Sequence, residues 1–211
     1  LDVAVGARGR APDLSFAGLR YQAGYLFAYL RDPGRVRQNV GASRMPDFRL
    51  SEEEALALTL FLSDQRTAPA APASATGVAE QAARNAASAG APEEAALVVT
   101  LREHSCLACH VWRGQGGVVG PELSDAGARL EAAWVARFLI DPAAFGVPDG
   151  VMPALLLRPD ESGTLAPTTP GADAALPCIV AGLASRGRVQ SDQRAATLAA
   201  ARARHPAIDA A

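Results

Sequence analysis

Residues 106–110 read Cys106-Leu107-Ala108-Cys109-His110, and this short stretch decides how the rest of the chain is understood. Two thiols three residues apart share one helical turn, so each can add to one of two vinyl groups on a single porphyrin. The next residue then presents its imidazole to the central iron. The spacing therefore points to covalent haem attachment, with Cys106 and Cys109 as anchors and His110 as an axial ligand. The opposite axial position needs a ligand from elsewhere, and a thioether there favours ferrous over ferric iron and raises the reduction potential.

Other chemistry is conceivable for the same residues. His104, Cys106, Cys109 and His110 make a four-member zinc set, but they are crowded into one segment, whereas structural zinc usually takes ligands from two. Adjacent Cys109 and His110 also project in different directions from a helical turn. A thioredoxin-like dithiol belongs at a strand-to-helix junction, and no strand pattern precedes Cys106. The third cysteine, Cys178, lies among Ala175, Leu176, Ile179 and Val180 and reads as an unreactive buried thiol. Trp112 is equally suited to packing on a haem edge or to filling a core. His104 reads as a solvated helix residue, and His205 as exposed in an arginine-rich tail.

The chain has 211 residues, 49% of them hydrophobic, enough to bury one large core or two small ones. Its 20 basic residues, all arginine, are balanced by 22 acidic ones for a net charge of -2, so no basic excess exists to hold nucleic acid. No run approaches the roughly 18 apolar residues of a membrane span. Aromatics are only 5%, so alanine, leucine and valine, or a large apolar cofactor, must fill the interior.

Outward from the motif, the chain repeats itself. An offset of 109 aligns Pro12 with Pro121, Leu14 with Leu123, Gly18 with Gly127, Arg20 with Arg129 and Asp32-Pro33 with Asp141-Pro142. Tyr25 falls on Trp134, and 10 of the 22 positions from 12 to 33 are identical. The only two methionines are each followed by proline, Met45-Pro46 and Met152-Pro153, in register after a two-residue gap. So scarce a residue at equivalent points of both halves indicates that the sulfur is wanted, although core filling is the bland alternative.

Apolar residues recur three and four apart, which predicts an all-α protein. Helices are expected over Leu19 to Leu30, after a Ser51/Glu54 capping box through Leu62, and near 93–107, 130–140, 174–185 and 192–204. Residues 67–92 are rich in alanine and proline and read as a linker, helical at most in their second half. The expected division is a domain at 1–66, this linker, a domain at 93–190, and a C-terminal helix or tail at 191–211.

The second half resembles a class I cytochrome c domain. It has Cys106-x-x-Cys109-His110, Gly120-Pro121-Glu122-Leu123, an aromatic-bearing helix through Trp134 to Asp141-Pro142, and Met152-Pro153, in that order. The resemblance implies that the Pro121 carbonyl accepts a hydrogen bond from His110. It also implies that Trp134 lies against a haem propionate, that Arg129 helps to compensate its charge, and that Met152 is the distal ligand. The fit loosens after Leu157, where Glu161 to Gly171 inserts a loop. The first half resembles the same family through Pro12, Arg20, Tyr25, Met45-Pro46 and the helix after Ser51, but holds no cysteine. The offset maps its attachment motif to positions -3 to 1, so a Cys-x-x-Cys-His is expected just before Leu1, with Met45 ligating a second haem. The rival reading is a domain that lost its haem and kept its shell.

The expected whole is two cytochrome c-like domains carrying haem c and transferring electrons between redox protein partners. It would be a soluble carrier or a subunit of a respiratory or photosynthetic membrane complex. Iron ligated on both sides leaves no place for substrate, so an electron carrier is expected more than an enzyme. Alternatives are a di-haem peroxidase or thiosulfate dehydrogenase-like enzyme, and a subunit whose first domain only docks. Covalent haem attachment in bacteria takes place outside the cytoplasm, which implies the periplasm or the outer face of the cytoplasmic membrane.

Overall fold

The computed structural model describes residues 13–34, 45–68, 73–88, 90–147, 151–162 and 164–209. Pro12, an expected haem-pocket residue, lies outside them. The chain is mostly helical, as the apolar spacing requires, with two short antiparallel hairpins among the described residues. No described helix is long and apolar enough to cross a membrane.

In the first half, α1 (Ala17–Arg20) and α2 (Ala23–Arg31) take the place of the single helix expected from Leu19 to Leu30. Tyr21 and Gln22 interrupt it with extended backbone. Next comes α3 (Glu52–Ser63), which opens on a complete capping box: Glu54 N–H donates to Ser51 Oγ at 3.2 Å, and Ser51 N–H to Glu54 Oε2 at 2.8 Å.

The segment read as a linker contains α4 (Ala73–Ser88), one face of which packs against the second half. Ala75, Ala79, Ala82 and Ala86 are buried at spacings of four, three and four. Such a stripe has no bulk, so its partner helices approach closely and gain dispersion contacts in place of large side chains. Those partners are α7 (Ala132–Ile140) and α8 (Ala172–Arg204) of the second half.

Before α7 the second half holds α5 (Glu94–Glu103), the short α6 (Cys106–Cys109), a hairpin of β1 (Val111–Trp112) and β2 (Gln115–Gly116), and a 3₁₀ turn at Ala126–Ala128. The inserted loop carries a second hairpin, β3 (Leu157–Pro159) with β4 (Leu165–Pro167). Helices expected at 174–185 and 192–204 form one continuous α8 of 33 residues. The major core unites Leu97, Leu101, Trp112, Trp134, Leu156, Leu176 and Ile179 with the alanines of α4. The minor core joins Phe27, Leu30 and Leu56 to Leu198 and Ala201 of α8, with Ile208 of α9 (Pro206–Asp209) against them. Leu198, Ala201 and Ile208 thus wall the first half's core.

The two repeats meet at equivalent residues. Tyr21 and Leu130, 109 positions apart, form an isolated antiparallel bridge. Gln22 N–H donates to the Arg129 carbonyl, and Glu131 N–H to the Arg20 carbonyl, both at 3.0 Å. Since 22 and 131, and 20 and 129, are also equivalent pairs, the junction has a local two-fold symmetry. Equivalent glycines allow equivalent close approaches beside it: a Cβ on Gly18 would lie 1.9 Å from the Ser63 carbonyl oxygen, and one on Gly127 2.0 Å from that of Leu183.

Candidate functional site

The Cys106–Cys109 turn follows Ser105, whose left-handed backbone (φ 58°) separates it from α5. Cys106 is half-buried, its Sγ 3.7 Å from the His104 carbonyl oxygen, and burial pushes its thiol pKa up. Cys109 is exposed. His110 Nδ1 lies 2.8 Å from the Pro121 carbonyl oxygen. A carbonyl can only accept, so Nδ1 carries a proton, which leaves Nε2 as the nitrogen that could ligate an iron.

The loop after the hairpin wraps this turn. Gly117 N–H donates to the Leu107 carbonyl at 2.9 Å and Gly120 N–H to that of Cys109 at 2.6 Å, which supplies partners for the end of a very short helix. Gly120 leaves room for the imidazole, because a Cβ there would sit 2.5 Å from His110 Nδ1. Neither glycine was expected as a site residue. The available signal was density: Gly114, Gly116, Gly117 and Gly120 crowd the ten residues after His110.

Trp134 is 4% exposed, stacked on Phe138 at 4.6 Å between centroids and edge-on to Phe145 at 5.5 Å. The Arg20 guanidinium carbon lies 4.8 Å from the Trp134 ring centroid. Trp134 Nε1 and Arg20 Nε are both buried and have no hydrogen-bond partner among the described residues. Such donors call for an acceptor, and a haem carboxylate is of the right chemistry. Two free thiols on one turn, a histidine that donates from Nδ1 and two unpartnered donors are groups of the chemistry that a haem would need.

Arg129 is 6% exposed; its Nε lies 3.0 Å from Asp125 Oδ2, and its Nη2 donates to the Glu122 carbonyl at 3.1 Å. Tyr25 is buried between Tyr21 and Tyr29, with the Arg194 guanidinium 5.3 Å from its ring, and burial pushes its phenol pKa up. Tyr25, Tyr29, Leu50, Arg129 and Arg194 line a cavity of about 620 Å³.

Met152 is half-buried in a turn and belongs to neither core cluster of the described residues. Met45, also half-buried, packs against the minor core. No three His, Cys, Asp or Glu side chains converge on a metal position among the described residues, so the crowded zinc set is not assembled. Trp112 is buried in the major core, its Nε1 donating to Glu94 Oε1 at 3.4 Å. Cys178 lies 3.6 Å from Thr100 Oγ1, between α8 and α5. His205, expected to be exposed, is half-buried with Nε2 3.2 Å from Glu52 Oε1.

No protein-family model, curated protein or solved structure matches the chain.

Proposed function

We propose that the chain is a c-type cytochrome that transfers electrons by an outer-sphere route through haem held at Cys106, Cys109 and His110. The observation that carries this reading is the 2.8 Å contact from His110 Nδ1 to the Pro121 carbonyl within an intact Cys-x-x-Cys-His turn. It orients the ring, fixes its tautomer and raises its basicity as a ligand. Met152 would be a second protein ligand to the haem iron, and the unpartnered Trp134 and Arg20 donors would hold one of the haem carboxylates. When bound, haem supplies a one-electron ferric/ferrous couple. The residues of the chain would anchor it and hold the proton on Nδ1.

By the same repeat, the first half is a second cytochrome c-like domain, with Met45, Tyr25 and the cavity beside Tyr25 as its share of a second haem site. Carrier or complex subunit, the protein works in the periplasm or on the outer membrane face, exchanging electrons with redox protein partners. The test is a denaturing gel of the purified protein stained for haem peroxidase activity, with a pyridine haemochrome assay per chain. A stained band that disappears in Cys106→Ser/Cys109→Ser supports the proposal. An unstained band overturns it. One haem per full-length chain removes the second site and leaves the first.

A further inference from the structure

Were each repeat self-contained, Arg129 would stand over Trp134, and Arg20 over Tyr25. The cation over Trp134 is Arg20, 4.8 Å from the ring centroid. In the mirror position Arg129 lines the cavity beside Tyr25, joined there by Arg194 of α8. The cause lies in the backbone. Because Tyr21 and Leu130 pair antiparallel, the Arg20 carbonyl accepts from Glu131 N–H, and Trp134 follows three residues later in the first turn of α7. The bridge carries each arginine across the junction to the aromatic residue of the other repeat.

We infer that Arg20, contributed by the first repeat, is the cation for the acidic edge of the haem held in the second, and that it sets that haem's reduction potential from the other half of the chain. This rests on the haem reading above. Arg20 Nε and Trp134 Nε1 belong to one Arg–Trp contact, both are buried, and both lack a partner among the described residues. A carboxylate can accept from both and compensate the arginine's charge; a neutral acceptor would leave that charge without a counter-ion beside the ring. A fixed cation there favours the ferrous state, which carries one positive charge fewer, and its effect is enlarged by the low local dielectric. Arg20 is therefore a positioning and tuning residue whose target is in the other repeat.

The experiment is a spectroelectrochemical titration of the full haem-bearing protein, comparing wild type with Arg20→Gln and Arg20→Lys at constant haem content per chain. Arg20→Gln is expected to lower the potential enough to change the ferric-to-ferrous ratio about tenfold at fixed poise, which is 59 mV for a one-electron couple. Arg20→Lys, which keeps the charge, is expected to restore most of it. Equal potentials in wild type and Arg20→Gln overturn the inference and leave the haem reading standing. A shift of equal size in the glutamine and lysine variants also overturns it, since packing rather than charge would be the cause. Absence of haem from the wild type overturns both. Should Arg20→Gln fail to fold, Arg20→Met, an uncharged chain of similar length, takes its place. A lower potential in that variant supports the inference, and an unchanged one overturns it.

Discussion

Gln22 stands directly beside the Arg129 carbonyl across the repeat junction, donating its backbone N–H at 3.0 Å while its side chain binds three further groups. Its Nε2 donates to the Gly127 carbonyl at 2.8 Å and to the Leu130 carbonyl at 3.1 Å, and its Oε1 accepts from Ser191 Oγ of α8. One side chain thus joins the first half to the 3₁₀ turn and to the long helix.

Gln22→Ala removes all three side-chain bonds and leaves two part-buried carbonyls without that donor. A loss of about 1–3 kcal/mol is expected. Urea denaturation of wild type and variant measures it, and an unchanged midpoint would show that water replaces the amide without cost.

Gly120→Ala places a methyl where the His110 ring now lies, at 2.5 Å from Nδ1. The imidazole must move and its bond to Pro121 must break. Haem recovered per chain is expected to fall sharply, while Gly114→Ala, whose Cβ would meet nothing within 4 Å, is expected to keep its haem at the cost of a strained turn. Pyridine haemochrome assays on both variants separate the two effects.

Glu52 gathers Arg204, Arg31 and His205, closing the end of α8 onto the start of α3. The hydrogen bond from Arg204 is the main cause holding the Glu52 carboxyl at about 2, below its ordinary 4.5. A carboxylate with a lowered folded-state pKa contributes stability that is complete above the unfolded value and is lost as pH falls through the folded one. Thermal midpoints are expected to drop between pH 4.5 and about 2, with a flatter profile for Glu52→Gln over that window. Identical profiles would deny the carboxylate its part.

Ala79 is fully buried at the centre of the alanine stripe. Ala79→Leu overpacks the contact of α4 with α7 and α8, at an expected cost of about 1–3 kcal/mol. The same packing predicts that residues 73–88 resist limited proteolysis in the folded protein; rapid cleavage there would describe a linker instead.

What could be read in advance was local or repetitive. The Ser51/Glu54 box is a four-residue signal, and it forms in the structure as spelled. The offset of 109 likewise identifies Arg20 with Arg129 and Tyr25 with Trp134. How the equivalent residues meet was not legible, because the bridge of Tyr21 to Leu130 uses backbone groups that every residue possesses. Ala75 to Ala86 misled for another reason: apolar periodicity weighs large side chains, whereas close approach needs small ones. A break was expected between 185 and 192, where Gly187 lies. Its missing side chain instead admits the backbone of Gly127, which a Cβ would meet at 2.1 Å, and α8 runs on. Around the motif, Pro121 could be placed near His110 only through the resemblance, and Gly120 not at all, since their contacts depend on how the loop folds back.

Leu198, Ala201 and Ile208 have a consequence for biosynthesis. The interior formed by Phe27, Leu30 and Leu56 lacks one wall until these residues, later in the order of chain delivery, have joined it, although its other sides are made much earlier. The earliest-translated half must therefore wait, partly open, for the latest. The order of synthesis runs opposite to the order in which that half can close.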